Sequence, residues 1–193
     1  MGPLILASTS PRRRELLSQA GISFSVQPGN VEEDLTQLEG SPAEKAKQLA
    51  FMKARDIADR NMQGLVLGAD TIVVVDGIIF GKPENEADAC RMLRELSGRE
   101  HSVITGLALI DCSSGEFRTG HEETRVRFAK LAKSEIDAYI RTGEPFDKAG
   151  AYALQGMGAL LVEGIDGCYS NVVGLPLMRL RRLLAEFGIN PLR

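Results

Sequence analysis

The sequence predicts an α/β fold built on a mixed sheet, and three observations carry that expectation. Short apolar runs of strand length alternate along the chain with stretches of helical period. The helical stretches carry their own start and stop residues. Asp76-Gly77 stands between two β-branched runs and is the preferred pair for a two-residue hairpin turn, so an antiparallel pair joins strands that the helices connect by crossovers. At 193 residues the chain fits one domain, or one domain with two lobes, and is long enough to bury a sizeable core.

Residues 4–7 are apolar and read as a buried strand. Residues 11–20 read as a helix, with Ser10 as N-cap, Pro11 at the first helical position and Gly21 as terminator. Ser41-Pro42-Ala43-Glu44 is a capping box that opens a helix running to about residue 60. Residues 65–75 and 78–81 flank the hairpin turn. Residues 85–96 read as a helix with Asn85 as cap and Gly98 past its end. Two strands follow at 101–111 and 117–128, the second alternating through Thr124, Val126 and Phe128. A short helix at 134–141 is closed by Gly143. An amphipathic helix at 176–187 carries Leu177, Leu180, Leu183 and Leu184 and stops at Gly188. Residues 144–174 are rich in glycine and take no assignment.

Composition sets limits on function. Hydrophobic content of 44% and charged content of 25% are those of a soluble globular protein. The net charge of −3 argues against a nucleic-acid partner, so any phosphate ligand must meet a local cationic cluster. No apolar run approaches the roughly 20 residues of a membrane span. No positive region precedes residues 4–7, which argues against a secretory signal, and Leu6 follows Met1-Gly2 where myristoylation needs Ser or Thr. Cys90, Cys112 and Cys168 are odd in number and far apart, as expected of reduced thiols in a cytoplasmic protein.

The chemistry begins at the first helix. A helix N-terminus carries partial positive charge, yet this one places Arg12, Arg13 and Arg14 in its first turn. That arrangement becomes favourable when an anion docks there, within reach of the Ser8 and Ser10 hydroxyls and two guanidinium forks. Three arginines beside two serines after a strand point to an anion site rather than a solvated turn. Lys53 interrupts the apolar stripe Ala46, Leu49, Ala50, Ala54 and Ile57; it is either a snorkelling lysine at a core edge or a cation aimed at bound phosphate.

In the hairpin, a two-residue turn sets Val75 opposite Ile78, Val74 opposite Ile79 and Val73 opposite Phe80. Continuing that register places Thr71 opposite Lys82, with Asp70 one step beyond, about 4.5–5.5 Å between facing Cβ atoms. Asp70 lies in an otherwise apolar strand, where an unpaired carboxylate is costly. It is either salt-bridged to Lys82 for structure, or a metal ligand or general base; the cationic features already found favour the latter. Glu32-Glu33-Asp34 is either a solvated loop or a source of carboxylates for Mg²⁺. Asp147-Lys148 precedes a glycine-rich loop suited to close ligand approach. Gly77 to Pro83 is one residue short of a P-loop, with Pro in place of Ser or Thr. With only His101 and His121 present, a histidine-based nucleophilic triad is disfavoured, leaving carboxylate plus metal as the default.

Ser8-Thr9-Ser10-Pro11-Arg12-Arg13, Gly68-Ala69-Asp70-Thr71, Gly81-Lys82-Pro83, Ser97-Gly98, Thr105-Gly106, Asp147-Lys148-Ala149-Gly150-Ala151-Tyr152 and Val173-Gly174-Leu175-Pro176, in that order across nearly the whole chain, resemble the Maf nucleotide pyrophosphatases. The resemblance implies one Maf-like domain over residues 1–193 with a two-lobed α/β fold similar to the inosine triphosphate pyrophosphatases. It further implies an active site in the cleft between lobes, a homodimer, and Mg²⁺ or Mn²⁺ as cofactor. The implied reaction splits a nucleoside triphosphate between its α and β phosphates, with Asp70 as proton acceptor and Arg12, Thr71 and Gln155 tied to substrate choice. The run Ala153-Leu154-Gln155-Gly156 resembles the branch acting on dTTP and UTP, a house-cleaning activity. A 7-methyl-GTP pyrophosphatase, and a nucleotide-binding regulator of septum formation without turnover, are the rivals. The expected site has Glu33 and Asp70 as catalytic and metal-holding carboxylates. Its expected substrate contacts are Ser8, Ser10, Arg12, Arg13, Lys53, Thr71, Lys82, Asp147, Lys148 and Gln155.

Overall fold

The computed structural model describes residues 3–192; Met1-Gly2, considered above for lipidation, lies outside them. Strands β1 (Leu4–Leu6), β2 (Phe24–Val26), β3 (Leu65–Val75), β4 (Ile78–Phe80), β5 (Glu100–Asp111), β6 (Phe117–Phe128) and β7 (Val162–Asp166) form a sheet of order β2-β1-β3-β5-β6-β7, with β4 paired to β3. Helices α1 (Pro11–Gln19), α2 (Pro42–Ala58), α3 (Glu86–Leu96) and α4 (Lys133–Ile140) lie between strands, and α5 (Tyr169–Val173) and α6 (Leu177–Glu186) follow β7. The sheet is mixed: β1 runs parallel to both β2 and β3, whereas β3–β4 and β6–β7 are antiparallel. Among the described residues no helix is long and apolar enough to cross a membrane.

The local signals act as expected where they are strong. Ser41 and Glu44 close a reciprocal capping box, the Glu44 N–H donating to Ser41 Oγ at 3.3 Å and the Ser41 N–H to Glu44 Oε2 at 2.7 Å. Asn85 Oδ1 accepts the Asp88 N–H at 3.0 Å and starts α3. Asp76 and Gly77 both take positive φ, 49° and 79°, which gives β3–β4 the twist of a primed turn. The ladder then pairs Val75 with Ile78, Val74 with Ile79 and Val73 with Phe80.

There the expected register ends. β4 stops at Phe80, and the Gly81 carbonyl accepts the Gly150 N–H at 3.0 Å instead of continuing the hairpin. The Thr71–Lys82 ladder pair is therefore not formed. Pro83, lacking an N–H, could not have prolonged the ladder either. Residues 144–174 hold three 3-10 segments, Glu144–Asp147, Ala149–Ala151 and Gly156–Leu161, followed by β7 and α5.

Contacts group the chain into two units. The first comprises residues 1–70, 105–122 and 174–193, and the second 71–104 and 123–173. In the first, Ala50, Ala54, Ile57 and Ala58 of α2 pack with Ile5, Val66, Ala108 and Ile110. In the second, Ala89, Leu93 and Leu96 of α3 pack with Val73, Val103, Val126, Phe128, Ile136 and Tyr152. The strands β3, β5 and β6 each carry residues of both units.

Candidate active site

The geometry of the first unit follows from two glycines. A Cβ on Gly68 of β3 would overlap the Ala50 carbonyl of α2 and stand 2.8 Å from the Ala54 nitrogen. A Cβ on Gly106 of β5 would likewise overlap the Ala46 carbonyl. Their absence lets the α2 backbone lie directly on the strands. One helical turn beyond Ala50, Lys53 then reaches Asp70 of β3, its Nζ donating to Asp70 Oδ1 at 2.5 Å and to Glu33 Oε1 at 2.7 Å. Lys53 is the inward cation rather than the snorkelling one: its side chain is 13% exposed, against 8% for Asp70 and 44% for Glu33.

The loop that carries Glu33 is fastened along α2. The Asn30 N–H donates to Asp56 Oδ2 at 3.2 Å, Lys45 Nζ to the Leu35 carbonyl at 3.1 Å, and Gln48 Nε2 to the Glu39 carbonyl at 3.0 Å. Within the acidic run, Asp34 organises its own turn by accepting from the Thr36 hydroxyl and N–H and from Gln37. Those bonds, the Thr36 hydroxyl foremost, hold its carboxyl below the usual range. Glu33 is the member of the run whose carboxylate bonds Lys53.

Arg13 completes it. Its Nε donates to the Gly174 carbonyl at 2.9 Å and its Nη1 to Ser8 Oγ at 3.1 Å, while the Ser10 N–H donates to the same Ser8 Oγ at 3.2 Å. The N-terminus of α1 has neither a capping side chain nor an acidic residue in its first turn. Arg12 lies half-buried in that turn. Burial lowers the Arg13 pKa, with Asp70 and Glu33 opposing. Burial likewise pushes the Asp70 carboxyl up, against the pull of Lys53 and Arg13. The cation bonded to Asp70 is thus Lys53, where the hairpin register suggested Lys82. The Gly174 carbonyl had no assigned role; its motif was visible in the sequence, but a backbone acceptor leaves no side-chain signal.

Two carboxylates converging on one ammonium mark a point that a cation can share. Among the described residues there is no group of three or more His, Cys, Asp or Glu able to hold a metal ion. Glu33 and Asp70 are the two carboxylates gathered at this point, the number that Mg²⁺ sites completed by substrate phosphates commonly use.

In the second unit, Thr71 is half-buried at the unit's first residue and Lys82 is exposed beyond β4. Lys148 Nζ donates to the Glu144 carbonyl at 2.6 Å and also bonds the Asp147 carboxylate, so Asp147 and Lys148 pair with each other. Gln155 is half-buried and immediately precedes the 3-10 segment at 156–161.

A family model described as "Maf-like protein" matches residues 3–187. A dTTP/UTP pyrophosphatase of Ruminiclostridium cellulolyticum is 53% identical over 188 residues, covering 97% of each chain. A dTTP/UTP pyrophosphatase of Moorella thermoacetica is 50% identical over 190 residues, covering 98% of this chain and 97% of that one. Among solved structures, the chain is similar to a nucleoside-triphosphatase, dITP/XTP pyrophosphatase, from Mycobacterium abscessus. That pair is 15% identical, with 96% and 97% of the two chains covered and a TM-score of 0.48, too slight a likeness to argue from.

Proposed function

The chain belongs to the Maf-like protein family, and on that premise we propose that it hydrolyses dTTP and UTP to the nucleoside monophosphate and pyrophosphate. Support comes from relatives of about 50% identity over nearly the full chain that carry that activity in their names. The observation that carries the chemistry is the Lys53 ammonium between Asp70 and Glu33, beside the Ser8–Arg13 pair.

Each group has a task in this reading. Asp70 accepts a proton from the attacking water, and its upward-shifted pKa makes it the stronger base. Water adds at the α phosphorus, the α–β bridging bond breaks, and pyrophosphate leaves. Arg12, Arg13, Lys53 and Lys82 neutralise the triphosphate, with hydroxyls from Ser8 and Ser10 as donors. Glu33 and Asp70 would hold Mg²⁺ or Mn²⁺, which supplies Lewis-acid neutralisation of phosphate charge when bound. The roles of Arg12, Thr71 and Gln155 in substrate choice, and of Asp147 and Lys148 as substrate contacts, rest on the likeness of their motifs to the family. A homodimer, a cytoplasmic location and a role in cleansing the nucleotide pool belong to the same proposal.

The test is pyrophosphate release from a panel of dTTP, UTP, CTP, GTP and 7-methyl-GTP with Mg²⁺ or Mn²⁺. Turnover of dTTP and UTP well above the others is expected. Preference for 7-methyl-GTP would move the chain to that substrate class, and ligand-induced thermal stabilisation without turnover would make it a nucleotide-binding regulator.

A further inference from the structure

Glu144 lies outside every motif that carries the family likeness, yet it touches both ends of the segment holding Lys148 and Gln155. Its carbonyl accepts the Lys148 ammonium at 2.6 Å. Its carboxylate accepts the Met157 N–H at 3.0 Å and the Gly158 N–H at 3.3 Å. Gly156 between them has φ +68°, and a Cβ there would stand 2.6 Å from Glu144 Oε1. The carboxylate thus occupies space that only a glycine after Gln155 leaves open.

The middle of the segment is fixed separately. The Gly150 N–H is bonded to the Gly81 carbonyl, and a Cβ on Gly150 would press on Val73 at 3.0 Å. Ala151 is fully buried with φ 60°, a conformation retained because its surroundings impose it. The Tyr152 hydroxyl bonds His101 Nε2 at 2.7 Å in a buried aromatic group with Phe128. With residues 150–152 anchored in the core, the Glu144 carboxylate holds the N–H groups of Met157 and Gly158, just past Gln155.

We propose that Glu144 is a positioning residue for nucleobase selection: its carboxylate holds the 156–158 turn and thereby the placement of Gln155. This rests on the pyrophosphatase reading with Gln155 as a substrate contact. The chemistry requires such a hold. A primary amide offers a donor and an acceptor side by side, and it separates a keto from an amino pyrimidine edge only when its placement is kept within about half an ångström. Lys148 is insulated from the substitution, because it is held by the Glu144 backbone carbonyl, which a change of side chain leaves in place.

The experiment compares wild type, Glu144→Ala and Glu144→Gln with dTTP, UTP and CTP, alongside thermal unfolding of each. In Glu144→Ala, KM for dTTP and UTP should rise about tenfold with kcat changed less than about threefold, as one lost positioning contact dictates. The kcat/KM ratio of UTP to CTP should fall by a similar factor. Glu144→Gln keeps one acceptor and should fall between; if the alanine variant does not fold, the same ratio in the glutamine variant decides. Equal losses on all three nucleotides would reduce Glu144 to a structural cap, and an unchanged ratio in an active protein would overturn the inference alone. A wild type that releases no pyrophosphate from any of the three would overturn the parent reading and this inference with it.

Discussion

Asp70 carries its charge where burial opposes it, and Lys53 is the strongest of the neighbours that restore it, ahead of Arg13. Asp70→Asn removes the proton acceptor and should lower kcat by on the order of 10²–10⁴, with the far-UV circular dichroism unchanged. Burial raises the Asp70 pKa while Lys53 opposes it, so protonation of Asp70 sets the acid limb of kcat/KM. Lys53→Met removes the largest downward pull on Asp70 and should move that limb to higher pH, which a pH–rate profile reads directly. His101 gives a different pH effect. Burial pushes its imidazole down to about 4, against an ordinary value of about 6.5. Between those values the unfolded chain takes up a proton that the folded chain refuses, so stability declines as pH falls from 6.5 to 4, by roughly 3 kcal/mol in all, and is flat above. His101→Gln should flatten that window in urea titrations at pH 7 and pH 4.5.

Helix α2 against β3 shows how a packing distance becomes a chemical one. Gly68→Ala sets a Cβ against the Ala50 carbonyl and Ala54, which are backbone and neighbouring helix and cannot step aside. The variant should lose about 1–3 kcal/mol by urea unfolding and, with α2 lifted, much of its turnover as Lys53 leaves Asp70. Gly77→Ala is the contrast. Nothing lies within 4 Å and only its φ of +79° matters, so it should cost about 1 kcal/mol with turnover intact. The same elements mark where sequence reading succeeds. Helices α2 and α3 and the β3–β4 turn are encoded by neighbouring residues: a capping box, an Asn cap, an Asp-Gly pair. β2 has three residues, β7 is interrupted by Gly164, and α5 has five, so none is long enough for a periodic pattern to stand out. Their pairing partners lie far away in sequence. The Thr71–Lys82 expectation failed for the same reason, since it extrapolated a local register past the point where Gly150, about 70 residues on, captures the Gly81 carbonyl.

Three of the four passages between the two units fall within strands β3, β5 and β6, and the fourth, at residues 173–174, lies between α5 and α6. Unfolding one unit therefore unravels strands of the other, and one cooperative transition is expected. Tyr139, Tyr152 and Tyr169 all belong to the second unit and the chain has no Trp, so the tyrosine band of the near-UV dichroism reports that unit while far-UV dichroism reports both. The two urea curves should coincide; a separation would show that the units unfold independently. By itself the sequence determined the α/β class, the capped helices, the hairpin turn and a family whose relatives are named for dTTP and UTP. Those features are written in short-range patterns and in ordered motifs. Only the tertiary structure decided that Glu33 and not Glu32 or Asp34 meets Lys53, that Lys53 rather than Lys82 is bonded to Asp70, and that the Gly174 carbonyl holds Arg13. Each is a contact between residues far apart in the chain. Its geometry is set by how closely helix and strand backbones approach, a quantity that no single stretch of sequence contains.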